Sequence, residues 1–262
     1  MSYNAFELTV ADGLARLVMN QPERGNPFDA DFCRELAEVA NELADHDDLR
    51  AVLVTARGRY FSVGGDIAMF AENLDELTHG IRRWTAGLHM GIARLARLDA
   101  PIVAGVHATA MGGSVALVAN FDLVFSAASA RFGAAYAQIG YSCDAGASFA
   151  LASRMGIARA RRFLMLSEVL DAQQAQAAGL VDVVVADDRL AAEAERAAIR
   201  LANGPTRAYA GIRHLTRQAF SRGLEAAMED EAQCLARVAD SQDAREGILA
   251  FAEKRKPDFT GK

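Results

Sequence analysis

The chain is poor in several features that would mark a specialised class. Cysteine is scarce: Cys33, Cys143 and Cys234 are odd in number and widely spaced among 262 residues. That pattern excludes a disulfide framework, supplies no metal-ligand spacing, and suits reduced thiols in a cytoplasm. No run of eighteen uninterrupted apolar residues occurs, so no membrane span is expected. Met1 is followed by Ser2-Tyr3-Asn4 without a basic and then apolar leader, so no signal peptide is expected either. Positive charge is not in excess: 28 Lys and Arg stand against 34 Asp and Glu, a formal charge of −6. Such a surface gives no reason to expect nucleic acid or an anionic membrane as partner. The one local exception is Lys254-Arg255-Lys256, which reads equally as a solvated helix end with favourable dipole placement. Low-complexity linkers are missing too. With 52% hydrophobic and 24% charged residues, the chain can bury a sizeable core.

What is present is an alternation of strand, turn and helix. Residues 6–10 and 14–19 flank Asp12-Gly13, a hairpin signal. Asp29 stands where it can cap a helix with Phe32, Leu36, Val39 and Leu43 at helical spacing. Strands are expected over 51–55, 102–107, 123–126 and 181–185. Helices are expected over 81–98, before Pro101, and over 114–120, 147–155, 158–167, 172–178 and 188–203. The alternation predicts an α/β architecture. Gly204-Pro205 marks a boundary that divides the chain into a core, 1–203, and a region of three helices, 204–262.

Two glycine-bearing turns stand out. One is Gly58-Arg59-Tyr60-Phe61-Ser62-Val63-Gly64-Gly65-Asp66-Ile67; the other is His107-Ala108-Thr109-Ala110-Met111-Gly112-Gly113-Ser114-Val115-Ala116. Each follows a β-branched run and leads into an apolar helical stretch. Glycine at such a junction leaves its N–H bare of a Cβ, and a helix start presents unpaired donors and a positive dipole end. Brought together, two such sites would cradle one oxygen that gains charge during a reaction at a carbonyl or thioester.

These segments resemble the crotonase superfamily, the enoyl-CoA hydratase/isomerase group. The resemblance is carried by Asn20 to Pro27, Tyr60 to Ile67, Pro101 to Val106 with Met111-Gly112-Gly113, Ala130 to Gly133, Ala175 to Val181 and Phe251 to Pro257. It implies a spiral of ββα turns with a C-terminal helical trimerisation region, as a homotrimer or a dimer of trimers. It also implies an acyl-CoA thioester as substrate, no cofactor beyond the coenzyme A of that substrate, and no metal. The thioester oxygen would sit between the N–H groups of Gly65 and Gly113. Arg24 and the backbone of Ser62, Gly64, Asp66 and Ile67 would hold the CoA phosphates and adenine, with Phe251 and Lys254 closing over the 3′-phosphate. A polyanionic ligand of that kind needs fixed cations and bare amides.

Hydratases of the group use two glutamates, and the matching positions here are Ala116 and Tyr136. Neither side chain delivers protons to carbon at neutral pH. The chain therefore looks more like the single-aspartate acyl-CoA isomerases of the phenylacetyl-CoA pathway type, with Asp144 moving a proton from one carbon to another. Asp144 reads alternatively as an N-cap on a helix starting near Ala145. Two other outcomes stay open: a hydrolytic aryl-CoA dehalogenase, with Asp144 as nucleophile and His89 as base, and a non-catalytic acyl-CoA-binding oligomer. His89 also reads as a semi-buried histidine on an amphipathic helix. Met69, Phe70, Trp84, Leu88, Met111, Tyr136 and Tyr141 are expected to line a pocket for a medium or aryl-bearing acyl group.

Overall fold

The computed structural model describes residues 2–219 and 221–262. Its strands are β1 (Phe6–Ala11), β2 (Leu14–Met19), β3 (Pro27–Phe28), β4 (Ala51–Ala56), β5 (Gly64–Gly65), β6 (Ile102–Val106), β7 (Ala110–Met111), β8 (Leu123–Ala127), β9 (Arg131–Gly133), β10 (Val169–Asp171) and β11 (Val183–Val185). Its helices are α1 (Ala30–Ala44), α2 (Ile67–Glu72), α3 (Leu77–Leu95), α4 (Gly113–Ala119), α5 (Ala147–Met155), α6 (Ile157–Met165), α7 (Ala172–Ala177), α8 (Leu190–Ala202), α9 (Thr206–Gln218), α10 (Leu224–Ala239) and α11 (Gln242–Glu253).

The main sheet runs β1-β2-β4-β6-β8-β11. Only the β1–β2 pair is antiparallel. Its two-residue loop, Asp12-Gly13, has both residues left-handed (φ 53° and 74°), the geometry that matches the twist of a tight hairpin. From β2 onward the strands are parallel, so both faces must be covered. Leu14, Leu53 and Val103 point to α8 and pack with Ala194, Ala198 and Ala202. Their neighbours Ala15, Val52, Val54, Ile102 and Ala104 point to the larger core with Phe32, Leu36, Leu43, Leu88 and Leu95. The period of two along each strand thus sorts side chains between two layers.

As expected, Asp29 caps α1, its carboxylate accepting from the Phe32 N–H at 2.8 Å. α4 is buried along its whole length, consistent with its apolar sequence on every side. The C-terminal helices are tied to the core by two arginines. Arg213 of α9 is buried, pairs with Asp122 at 2.9 Å and donates to the carbonyls of Leu95, at the end of α3, and of Leu98 just after it. Arg50 donates to Thr206 Oγ1 and the Gly204 carbonyl, both at 2.7 Å. Among the described residues no helix is long and apolar enough to cross a membrane.

Candidate active site

The two glycine turns meet through short strands. β5 pairs with β3 and β7 pairs with β9, while Ser62 bridges Ala110. Ser62 is fully buried: its Oγ donates to the Asn26 carbonyl at 2.7 Å and accepts from the Gly64 N–H at 3.0 Å. Its carbonyl accepts from Met111 N–H at 3.0 Å and from Ser114 Oγ at 3.1 Å. Ser62 therefore stitches one turn to the other. Gly64 is left-handed (φ +81°), and a Cβ there would stand 2.4 Å from the Met111 carbonyl oxygen and 3.2 Å from the Gly113 nitrogen. Only glycine permits that approach.

Gly113 is the first residue of α4, so its N–H has no acceptor within the helix and lies at the positive end of the dipole. The preceding Gly112 N–H is already bound to the Gly133 carbonyl at 2.8 Å. Gly65 and Gly113 face one cavity of about 700 Å³. Phe28, stacked on Phe32 at 4.1 Å, backs Gly113.

Asp144 lines the same cavity. It does not cap α5, whose N-cap position is Gly146 without a side-chain bond. Its Oδ1 instead accepts a hydrogen bond from the Tyr136 hydroxyl at 2.9 Å, and lies 3.7 Å from where a Gly113 Cβ would stand. Burial, then the adjacent Asp144 charge, pushes the Tyr136 phenol far above its ordinary value. Tyr136 is thus a permanent donor, which leaves the second carboxylate oxygen for other work.

The outer cavity is aromatic. Phe70 stacks on Trp84 with centroids 5.7 Å apart and planes 12° apart, and Tyr141 lies 6.0 Å from Phe70. Leu88 also lines it, whereas Met69 and Met111 do not. The Met111 side chain is drawn away because Gly133 leaves room for its thioether. Cys33 of α1 also lines the cavity, although no local motif marks it as a site residue. Burial, then the charges of Asp29 and Asp144, pushes its thiol up to about 12.

Several expected ligand residues have other partners. Arg24 bridges two helix caps, reaching Asp29 Oδ2 at 2.5 Å and pairing with Asp66. Asp66 caps α2 by accepting from Met69 N–H at 3.1 Å, and Ile67 lines the cavity. Phe251, 88% exposed, and Lys254, the left-handed cap of α11, are not part of the cavity wall. His89 follows Leu88 on α3 but lies outside the lining, and its Nε2 accepts from the Ala145 N–H at 3.1 Å. Ala116 is wholly buried inside α4.

Residues 9–262 match the family described as Enoyl-CoA hydratase/isomerase. The chain belongs to this family. It is 33% identical over 97% of its length to the 1,2-epoxyphenylacetyl-CoA isomerase of Escherichia coli (strain K12), 97% of which is covered. It is 29% identical, over the whole of both chains, to the trans-2-decenoyl-[acyl-carrier-protein] isomerase of Streptococcus mutans. The fold superimposes on the crystal structure of an enoyl-CoA hydratase from Polaromonas sp. JS666 with a TM-score of 0.91, at 28% identity, covering 98% of this chain and 100% of that one. The chain is accordingly an acyl-CoA enzyme of the enoyl-CoA hydratase/isomerase family, with the crotonase fold that its sequence resembles. Relatives bear both isomerase and hydratase names.

Proposed function

We propose that this enzyme shifts a carbon–carbon double bond in a CoA thioester, with Asp144 as its single acid/base. The observation that carries the reading is the Asp144 carboxylate beside Gly113 in a cavity that also holds Gly65. The two positions matching the hydratase glutamates are a buried alanine and a tyrosine locked as a donor. With the thioester carbonyl on the two glycine amides, the free carboxylate oxygen removes a proton from the α carbon. The electron pair passes into the carbonyl, and the resulting dienolate carries its charge on the oxygen that the amides face. Asp144 then returns the proton at the γ carbon, and the double bond has moved. One base suffices, because no water is activated. The stacked Phe70 and Trp84 support a medium or aryl-bearing acyl group.

A dehalogenase would need His89 as a water-activating base. Its Nε2 is engaged by the Ala145 N–H and the residue lies outside the cavity, which favours isomerisation instead. Arg24 and Lys254 remain the cations proposed for the CoA phosphates. Leu224, Leu235 and Phe251, exposed on the C-terminal helices, support association there as a trimer or dimer of trimers. Light scattering of the purified protein checks the assembly.

The test of the reaction is proton NMR of a 3-enoyl-CoA in D2O. Deuterium should enter the α and γ positions as the double bond moves, and Asp144→Asn should abolish this. An unchanged rate in that variant sinks the assignment. Tight acyl-CoA binding with no turnover across enoyl, dienoyl and aryl thioesters would instead indicate a non-catalytic binder.

A further inference from the structure

We propose that His89 is a positioning residue: it holds the peptide that carries Asp144, as a neutral hydrogen-bond acceptor and not as a base. The inference rests on the reading of Asp144 as the acid/base. The observation behind it is the backbone just after Asp144. Ala145 is fully buried and left-handed (φ +51°), and Gly146 follows with φ +77°. A non-glycine residue keeps such a conformation only where its surroundings fix it. Here they do so from both sides. The Ala145 N–H donates to His89 Nε2 at 3.1 Å, and the Ala145 carbonyl accepts from Asn120 Nδ2 at 3.2 Å.

Asn120 is itself anchored, donating to the Ala116 carbonyl at 2.8 Å at the end of α4. The same amide fills the space beside Gly146, where a Cβ would stand 3.2 Å from Nδ2. The turn is therefore clamped between α3, through His89, and α4, through Asn120. Tyr136 holds the carboxylate of the preceding residue. Losing His89 would leave a buried N–H without a partner, and the turn would relax to satisfy it.

An imidazole whose Nε2 accepts from a backbone N–H carries its hydrogen on Nδ1. That nitrogen is not available to take a proton from water. Positioning is the role the geometry leaves to it. His89 also shares α3 with Trp84 and Leu88, so one helix both forms the acyl wall and sets the base.

The test compares His89→Leu, His89→Gln and Asp144→Asn in the full chain. Leucine has no acceptor, whereas the glutamine amide oxygen can take the Ala145 N–H. In His89→Leu, kcat should fall about tenfold or more, as for a displaced catalytic group, with KM within about threefold of wild type. His89→Gln should restore a large part of that loss. Hydrogen exchange at the Ala145 amide should accelerate in His89→Leu and stay slow in His89→Gln. Wild-type kcat and unchanged exchange in His89→Leu would overturn the proposal. So would equal loss in both variants with Ala145 still protected, because the imidazole would then be a chemical participant. Full turnover by Asp144→Asn overturns the acid/base reading and with it the effect on kcat, while amide exchange decides the contact by itself.

Discussion

Replacing Gly64 by alanine tests the junction of the two turns directly. The new Cβ would stand 2.4 Å from the Met111 carbonyl oxygen and 3.2 Å from the Gly113 nitrogen, both backbone atoms. Reaching ordinary contact requires the β5 and β7 turns to part by about 1 Å. The left-handed backbone costs an alanine about 1–2 kcal/mol, and forced overpacking about 1–3 kcal/mol more. A loss of roughly 2–5 kcal/mol in a chain of this size lowers Tm by on the order of 10 °C. The Gly113 N–H moves with its turn, and a misplaced oxyanion donor lowers kcat by about a hundred- to a thousandfold. Differential scanning calorimetry and the isomerase assay measure both effects. Gly65→Ala is the control: its Cβ meets only the tip of the Phe70 ring at 3.3 Å, and the ring can give. Its stability cost should stay below about 1 kcal/mol. A Gly64→Ala enzyme with Tm within about 2 °C and kcat within about twofold of wild type would refute the argument that these turns depend on a bare backbone.

Tyr136→Phe keeps the ring and removes the donor to Asp144, so kcat should fall about ten- to a hundredfold with Tm little changed; an unaltered kcat denies the contact a role. The Cys33 thiol, pushed up to about 12, carries almost no thiolate near pH 8. Iodoacetamide should therefore label Cys143, half-buried on the cavity wall, first, and bound acyl-CoA should protect it, as read by peptide mapping. Hydrogen bonding to Arg159, helped by Arg162, holds the Glu168 carboxyl below its ordinary value. Its stabilisation is present above the unfolded glutamate value near pH 4.3 and is lost as pH falls through the lower folded value. Glu168→Gln should cost at most about 1 kcal/mol near neutrality, and urea titrations should show the difference from wild type closing in acid.

The layers of the fold were legible because the period of two and the period of 3.6 are written in the chain. The strand of 51–55 and the helix of 147–155 stand where the pattern put them. The short strands β3, β5, β7, β9 and β10 were not legible. Two or three residues are too few to show a period, and their pairing is set by contacts distant in sequence. Asp144 was singled out by resemblance, but nothing local showed that Tyr136 would hold its carboxylate rather than contact substrate. The partnership of His89 with Ala145 was equally hidden, since it spans 56 residues of chain. Asn120 gave no signal, being an ordinary helix-end residue until α5 folds over it. Arg24 reads from the sequence only as a cation for the CoA phosphates, because nothing local shows Asp29 and Asp66 converging on it.

Gly87 and Gly91 lie one turn apart on α3, on the side that faces α1. A Cβ at Gly87 would stand 2.5 Å from the Cys33 carbonyl oxygen, and one at Gly91 would stand 2.8 Å from the Leu36 carbonyl carbon. The two helices therefore touch backbone to backbone. A methyl group at either glycine would act as a wedge, driving α3 outward and carrying Trp84 with it. The breadth of the cavity is thus governed by two positions that are not part of its lining. Selection for bulkier or slimmer acyl groups can work through this spacer while leaving every residue of the chamber wall untouched.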